Sequence, residues 1–356
     1  ELPSGVRETD FCLEETARNI TWKKTYYGHN DKRLCPNGTT GISTRDCLKG
    51  NDSKSYWSDP DLSNCVSAWI SEVDDKLADR TLNATAVGDF FINLLDKNDL
   101  RGLYGGDIVK SVNVVDLLYN KSKDNELSEE RSNPEVAETL LKNLINITEK
   151  IISPEKLKVW DDLPEKRRTE HSVRIIDGLD DAVLKSAKIV NFSSIPNEHI
   201  NVQYGRVSNF KLRNNKSDTN LDDAINSIKL PQQERETGFE DQAVAVIKYN
   251  TIAEVLSAGN QELDEEDIVN SAVLSVSLNP PLSAPFQKPL EFKLSNQKDG
   301  SFDKHKCAFF NASRYHGFWS TKGCEVFNVT NNFTVCHCYH MTSFSVLMQV
   351  RPVELS

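Results

Sequence analysis

The stretch from Cys324 to Met348 reads Cys324-Glu-Val-Phe-Asn-Val-Thr-Asn-Asn-Phe-Thr-Val-Cys336-His337-Cys338-Tyr339-His340-Met341-Thr342-Ser343-Phe344-Ser345-Val346-Leu347-Met348. It sets two cysteines, an imidazole and a hydroxyl directly ahead of an apolar run that alternates with serine. A Thr hydroxyl is a poor nucleophile until a neighbouring base takes its proton. Neutral histidine suits that role, because an unperturbed pKa of roughly 6.5 leaves it mostly unprotonated at neutral pH. In extended backbone, residues i and i+2 share a face, so the spacing predicts His340 and Thr342 side by side. The nearest carbonyl to the Thr342 oxygen is that of Met341. Attack there moves the acyl group from nitrogen to oxygen and gives an ester that water can hydrolyse. The bond cut is Met341–Thr342, once per molecule. His-x-Thr alone is a common tripeptide, and by itself it reads as a polar pair on a loop or strand. The Cys-x-Cys before it and the apolar strand after it favour the chemical reading.

Beyond the cut, Phe344, Val346 and Met348 fall on one strand face, with Ser343, Ser345 and Leu347 on the other. A strand of this kind belongs inside a sheet. Burying Phe344, Val346, Leu347 and Met348 at ~1.5–3 kcal/mol each gives roughly 6–12 kcal/mol as an upper bound. Ladder hydrogen bonds add about 1 kcal/mol apiece. The two pieces are therefore expected to stay associated after cleavage.

The chain has 356 residues, enough for two or three domains with their own cores. A formal net charge of −11 argues against nucleic acid as a partner. No run approaches the roughly 18 apolar residues of a membrane span. No signal peptide is visible, so the sequence reads as a mature or excised fragment. The eight cysteines fall into two quartets, Cys12, Cys35, Cys47, Cys65 and Cys307, Cys324, Cys336, Cys338. Two even clusters point to two disulfide sets formed in an oxidising compartment. The alternative is zinc on Cys336, Cys338, His337 or His340, but zinc sites space their paired cysteines two to four residues apart. No metal and no cofactor is expected. Asn-x-Ser/Thr sequons begin at Asn19, Asn37, Asn51, Asn83, Asn120, Asn146, Asn191, Asn215, Asn311, Asn328 and Asn332. Their spread favours a glycosylated extracellular protein.

In chain order, residues 11–69 hold the first quartet with Trp22, Trp57 and a turn-rich middle, and need two bridges as staples. Residues 66–187 read as helical. Val66, Trp69, Ile70, Val73 and Leu77 follow one-sided helical spacing, as do Val87, Phe90, Phe91, Leu94 and Leu95, and then Ile108, Val109, Val112, Val115 and Tyr119. Asn133-Pro134 and Ser153-Pro154 each pair a capping residue with Pro at the first helical position. Val136, Leu140, Leu144, Ile147 and Ile151 supply a core stripe. From about residue 188 the period becomes two. Ile200–Tyr204, Ala243–Tyr249, Ala272–Leu278, Leu290–Leu294 and Phe333–Cys338 are strand candidates, and together they indicate a β-sandwich. Residues 213–241 read as a polar, mobile loop flanking one short strand. The acidic run Glu262–Asp267 lacks the glycine and spacing of a calcium loop and reads as a solvated face or helix start.

Taken with Cys307 and Trp319, the terminal motif resembles the proteolysis site of adhesion-type seven-helix receptors, inside the GAIN domain. That family usually has Leu ahead of the nucleophile. Met341 departs from this, a change with small steric consequence. Cys35-Pro36-x-Gly38-Thr39, Cys47, Trp57 and Pro60-Asp61-Leu62-Ser63-Asn64-Cys65 ending at Trp69 resemble the hormone-receptor-type module of the same receptors, nearest that of the latrophilins. The resemblance covers about residues 12–350. It implies an α+β chain with a small disulfide-rich module over 1–69, a helical bundle (subdomain A) over 70–187, and an antiparallel β-sandwich (subdomain B) over 188–350. The proteolysis site would occupy 307–350, and 351–356 would lead toward a first membrane helix. Implied pairings are Cys12–Cys47, Cys35–Cys65, Cys307–Cys336 and Cys324–Cys338. Implied roles are general base for His340, nucleophile for Thr342 and scissile carbonyl for Met341, in single-turnover cis autoproteolysis with no action in trans. The strand Thr342, Phe344, Val346, Leu347, Met348 resembles a tethered agonist. Partners implied are the chain's own seven-helix membrane domain and a G protein through it, with adhesion ligands held by modules N-terminal to Glu1. The setting is the extracellular side of the plasma membrane. Two rival readings stand beside this one: a non-cleaving adhesion scaffold, and a secreted hydrolase acting in trans, for which no Gly-x-Ser-x-Gly elbow is present.

Overall fold

The structure is a computed structural model and describes residues 7–98, 102–124, 133–209, 228–231, 241–256, 267–282, 285–297, 302–313 and 316–350. The N-terminal module is woven from short strands: β1 (Phe11–Cys12), β2 (Glu15–Ala17), β3 (Ile20–Trp22), β4 (Thr25–Tyr26), β5 (Asn30–Leu34), β6 (Thr39–Thr40), β7 (Ile42–Lys49), β8 (Ser55–Trp57) and β9 (Val66–Ser67). Its own core is small, Ile20, Trp22, Leu62 and Cys65 with Trp57 against them. So little apolar burial leaves the bridges Cys12–Cys47 and Cys35–Cys65 as the staples.

The module is seated on the helices that follow. Leu62 N–H donates to the Asp162 carbonyl and Gly106 N–H to the Leu62 carbonyl, at 2.8 and 3.0 Å. The Asp107 carboxylate accepts from Ser67 N–H, Ser67 Oγ and Tyr104 N–H. Burial pushes the Asp107 carboxyl up, against the pull of those donors. Gly106 is required here, since a Cβ would lie 2.2 Å from the Cys65 carbonyl oxygen.

The helices are α1 (Glu72–Ala78), α2 (Ala84–Asn98), α3 (Gly105–Asp124), α4 (Pro134–Ile152), α5 (Leu157–Trp160) and α6 (Glu165–Ala187). Asn133 caps α4 by accepting from Glu135 N–H, with Pro134 at the first position. Leu140, Leu144, Ile147 and Ile151 of α4 are buried as the apolar stripe requires. Two expectations need correction. Val66 lies in β9, and Ala68–Ser71 form a 3-10 turn before α1 begins. Ser153-Pro154 opens a 3-10 turn without a side-chain cap, then the single turn of α5.

The remainder is sheet: β10 (Phe192–Pro196), β11 (Ile200–Arg206), β12 (Ala243–Tyr249), β13 (Asp267–Val269), β14 (Val273–Asn279), β15 (Leu290–Ser295), β16 (Phe302–Ser313), β17 (His316–Ser320), β18 (Cys324–Val329), β19 (Phe333–Cys338) and β20 (Ser343–Val350). One antiparallel sheet runs β10-β11-β12-β14-β20-β16-β17, with β13 also pairing β20, and a second runs β15-β19-β18. Three layers result. Helix α6 lies on the large sheet, and one continuous core joins Leu179 and Val183 to Val202, Tyr204, Ile247, Tyr249 and Leu347. A second core fills the gap between the sheets with Val246, Val276, Phe292, Phe344, Val346 and Met348. Most of 213–241 lies outside the described residues; within it, Lys229 bridges to Glu291 of β15. Of the acidic run, Asp267 starts strand β13 and is buried against Lys306 at 2.8 Å, so at that position the expectation of a solvated face or helix start is wrong. Among the described residues no helix is long and apolar enough to cross a membrane.

Candidate self-cleavage site

The segment His340–Thr342 lies between two pinned strands, β19 and β20. Cys336 and Cys338 point inward from β19, both fully buried. Cys336 bridges to Cys307 of β16 and so ties the two sheets together, while Cys338 bridges to Cys324, its direct cross-strand partner on β18. All four disulfides join the pairs that the resemblance implies, and no cysteine is free. The thiolates that a zinc site would need are thereby consumed.

Beyond Cys338 the ladder ends and the chain turns. Tyr339 N–H donates to the Gly323 carbonyl at 2.9 Å, and the Tyr339 carbonyl accepts from Phe286 N–H at 2.9 Å. The Thr342 carbonyl accepts from Val276 N–H at 3.3 Å, where pairing with β14 resumes. Only Met341 and His340 are left between these anchors.

His340 is half-buried. Its Nε2 lies 3.2 Å from the Lys322 carbonyl oxygen, which can only accept, so Nε2 carries the proton and Nδ1 keeps the lone pair. Desolvation lowers the imidazole pKa, with the bond to Lys322 acting in the opposite sense. Both features suit a neutral base. The ring stands edge-on to Phe309 at 4.4 Å and nearly parallel to Phe344 at 5.6 Å. Gly323, at φ +79°, passes close beneath: a Cβ there would lie 3.1 Å from His340 Cδ2. Thr342 is half-buried, as is Met341, which packs against the inter-sheet core. The imidazole hydrogen bond in this structure goes to Lys322, not to the Thr342 hydroxyl. Sequence reasoning missed Phe309, Lys322 and Gly323; only the glycine, in a turn before Cys324, left a trace in the sequence.

Strand β20 is held on both sides, by β16 along its length and by β14 and β13 on the other edge. Phe344, Val346 and Met348 enter the inter-sheet core, and Leu347 enters the helix-facing core. Two polar clamps fix it further. Ser271 Oγ accepts from Val346 N–H and lies 2.9 Å from Ser345 Oγ. Asn270 Nδ2 lies 2.9 Å from Met348 Sδ. Next to the start of β20, Asp180 of α6 accepts from Ser275 and Ser277 of β14, and Ser275 is the ladder partner of Ser343.

The sequons divide by environment. Asn19, Asn37, Asn51, Asn83, Asn120, Asn191, Asn311, Asn328 and Asn332 are exposed, while Asn146 is half-buried on α4 and accepts from Asn197. Asn215 lies outside the described residues.

Comparison with known proteins gives two adjoining matches. Residues 67–187 match the family model "AGRL2-4 GAIN subdomain A", and residues 186–352 match "GPS: GAIN subdomain B". Adhesion G protein-coupled receptor L1 of Homo sapiens is 23% identical over 96% of this chain and 25% of its own length. The Rattus norvegicus protein of that name is 24% identical over 96% of this chain and 24% of its own. Adhesion G protein-coupled receptor L4 of Homo sapiens is 26% identical over 61% of this chain. The chain thus spans about a quarter of the length of the L1 relatives. The full extracellular region of zebrafish Gpr126/Adgrg6 superposes with a TM-score of 0.39 at 15% identity, covering 94% of this chain and 43% of that one. GAIN domains with a GPS are an autoproteolytic type, and the two matched subdomains abut at α6. The chain belongs to the adhesion G-protein-coupled receptor family, as a latrophilin-like extracellular region that carries both GAIN subdomains.

Proposed function

We propose that this chain cuts itself between Met341 and Thr342 and keeps its two pieces together. His340 Nδ1 takes the Thr342 hydroxyl proton. The oxygen attacks the Met341 carbonyl, the peptide C–N bond breaks, and the departing Thr342 nitrogen takes up the proton. Water then hydrolyses the ester, leaving a Met341 carboxylate and a free Thr342 amine and hydroxyl. The observation that carries this reading is the clamp itself. Disulfides and backbone bonds anchor residues 338–339 and 342–343, so the geometry of the intervening bond is set before reaction, and such positioning is a large part of catalysis.

The released strand would remain in place, since Phe344, Val346, Leu347 and Met348 are all essentially fully buried. In that state β20 serves as a tethered agonist, withheld until it is drawn from between β14 and β16. Its receiver is the seven-helix domain of the same receptor, with a G protein behind it. Residues 1–69 act as a hormone-receptor-type module that extends the ectodomain, on the extracellular side of the plasma membrane.

The test is intact mass of the deglycosylated chain under denaturing conditions. A fragment beginning at Thr342, absent from Thr342→Ala and His340→Ala, supports the reading. A single uncut mass in the native chain overturns it in favour of a non-cleaving adhesion scaffold.

A further inference from the structure

Strand β18 is an edge of the outer sheet; among the described residues it pairs only with β19. An exposed edge is a template for pairing with another chain unless something blunts it. Here the edge is also apolar: Val326, Phe327 and Val329 are 36%, 63% and 42% exposed. The ladder slips between Val326 and Asn328, so Val326 opposes Cys336, Asn328 opposes Val335, and Phe327 is the extra residue. Cys336 points inward, whereas Val335 and His337 face out. Phe327 stacks on the His337 ring at 4.2 Å, with planes 18° apart. The bulge therefore puts Phe327 and Asn328 on the same outer side, next to one another.

Asn328-Val329-Thr330 is an N-glycosylation acceptor. Asn328 is exposed, and among the described residues its side-chain amide is not committed to the fold. Two other sequon asparagines are committed: Asn83 caps α2 by accepting from Ala86 N–H, and Asn146 accepts from Asn197.

We propose that Asn328 carries an N-linked glycan whose first N-acetylglucosamine lies over Phe327, covering the β18 edge and preventing it from pairing with a second copy of this chain. In the attachment step the Asn328 amide nitrogen loses a proton and bonds to the anomeric carbon of a lipid-linked oligosaccharide, displacing the lipid diphosphate. The apolar face of the pyranose then takes the exposed side of a ring whose other side is occupied by His337. A bulky, polar cover of this kind is a direct means of hiding an apolar edge. The proposal is independent of self-cleavage and holds equally in the uncut Thr342→Ala chain.

The experiment uses the Thr342→Ala chain secreted from glycosylating cells, with Asn328→Gln and Asn328→Gln/Phe327→Ser variants. Glycopeptide mass at Asn328 and light scattering after gel filtration are measured. The expected result is full occupancy in the parent, at least tenfold stronger self-association in Asn328→Gln, and return to monomer in the double variant. That return separates loss of cover from misfolding. An unoccupied Asn328 overturns the proposal, as does an Asn328→Gln chain as monomeric as its parent, or a double variant that still associates.

Discussion

The imidazole of His340 stands edge-on to the ring of Phe309, with centroids 4.4 Å apart and planes at 71°. Phe309 is the ladder partner of Phe344, two residues past Thr342. Phe309, His340 and strand β20 thus share one packing unit. Phe309→Ala removes the wall that holds the imidazole while leaving His340 and Thr342 in the chain. Its self-cleavage should slow by about ten- to a hundredfold, in line with the cost of a misplaced catalytic group. A gel time course on freshly secreted protein reads this, and an unchanged rate would mean that His340 is oriented by other contacts.

Gly323 gives a second handle on the same ring. Gly323→Ala places a methyl 3.1 Å from His340 Cδ2 at a φ of +79° that L-residues rarely adopt. The expected outcome is a folded chain, destabilised by about 1 kcal/mol, with cleavage impaired more than stability. Thermal unfolding and fragment ratio, measured together, separate the two effects.

With His340 as the proposed base, the pH dependence of cleavage is set by its imidazole. Burial lowers its pKa, so the imidazole stays neutral to a lower pH than the usual value of roughly 6.5. Cleavage should be independent of pH across the neutral range and fall only on the acid side of that value. A rate that already declines between pH 8 and 7 would exclude His340 as the base.

Asp180 predicts an opposite trend in stability. Desolvation pushes its carboxyl up to about 7, despite the hydrogen bonds from Ser275 and Ser277. The folded protein therefore binds this proton more tightly than the unfolded chain, whose carboxyl sits near 3.8. The stabilising contribution is complete below the unfolded value and is lost as pH rises toward 7. Asp180→Asn should flatten this part of the stability profile and, at pH 7.5, equal or exceed the native protein by about 1 kcal/mol. Urea midpoints at pH 5 and 7.5 for both proteins test it.

Retention of the proposed Thr342 fragment is expected to rest on the buried side chains of β20. Phe344 contacts Phe292 of the opposite sheet, with ring centroids at 4.9 Å. Truncation to Ala in such a site costs roughly 3–5 kcal/mol. Phe344→Ala in a chain that is already cut should release the Thr342 fragment at a lower urea concentration. Co-elution on gel filtration measures the shift.

Much of this protein was written locally in its sequence. The alternation of Phe344, Val346 and Met348 against Ser343, Ser345 and Leu347 is a period-two signal, and those two faces do line separate cores. Asn133-Pro134 marked the start of α4 for equally local reasons. What failed locally did so where a partner distant in sequence decides. Val66 pairs with Thr40 and becomes strand, although its spacing fits a helix. Asp267 reads as solvated but is buried because Lys306, on another strand, neutralises it. The surroundings of His340 are of the same kind. Phe309, Lys322 and Gly323 meet the imidazole through strand pairing and a turn, and nothing in their spacing along the chain encodes that meeting. The sequence by itself determined which strand would be buried and which side chains, His340 and Thr342, carry the proposed chemistry, because both depend on residue type and short-range period. Tertiary structure alone decided how the imidazole of His340 is held, because ring packing and a carbonyl acceptor from distant segments set its tautomer, burial and orientation.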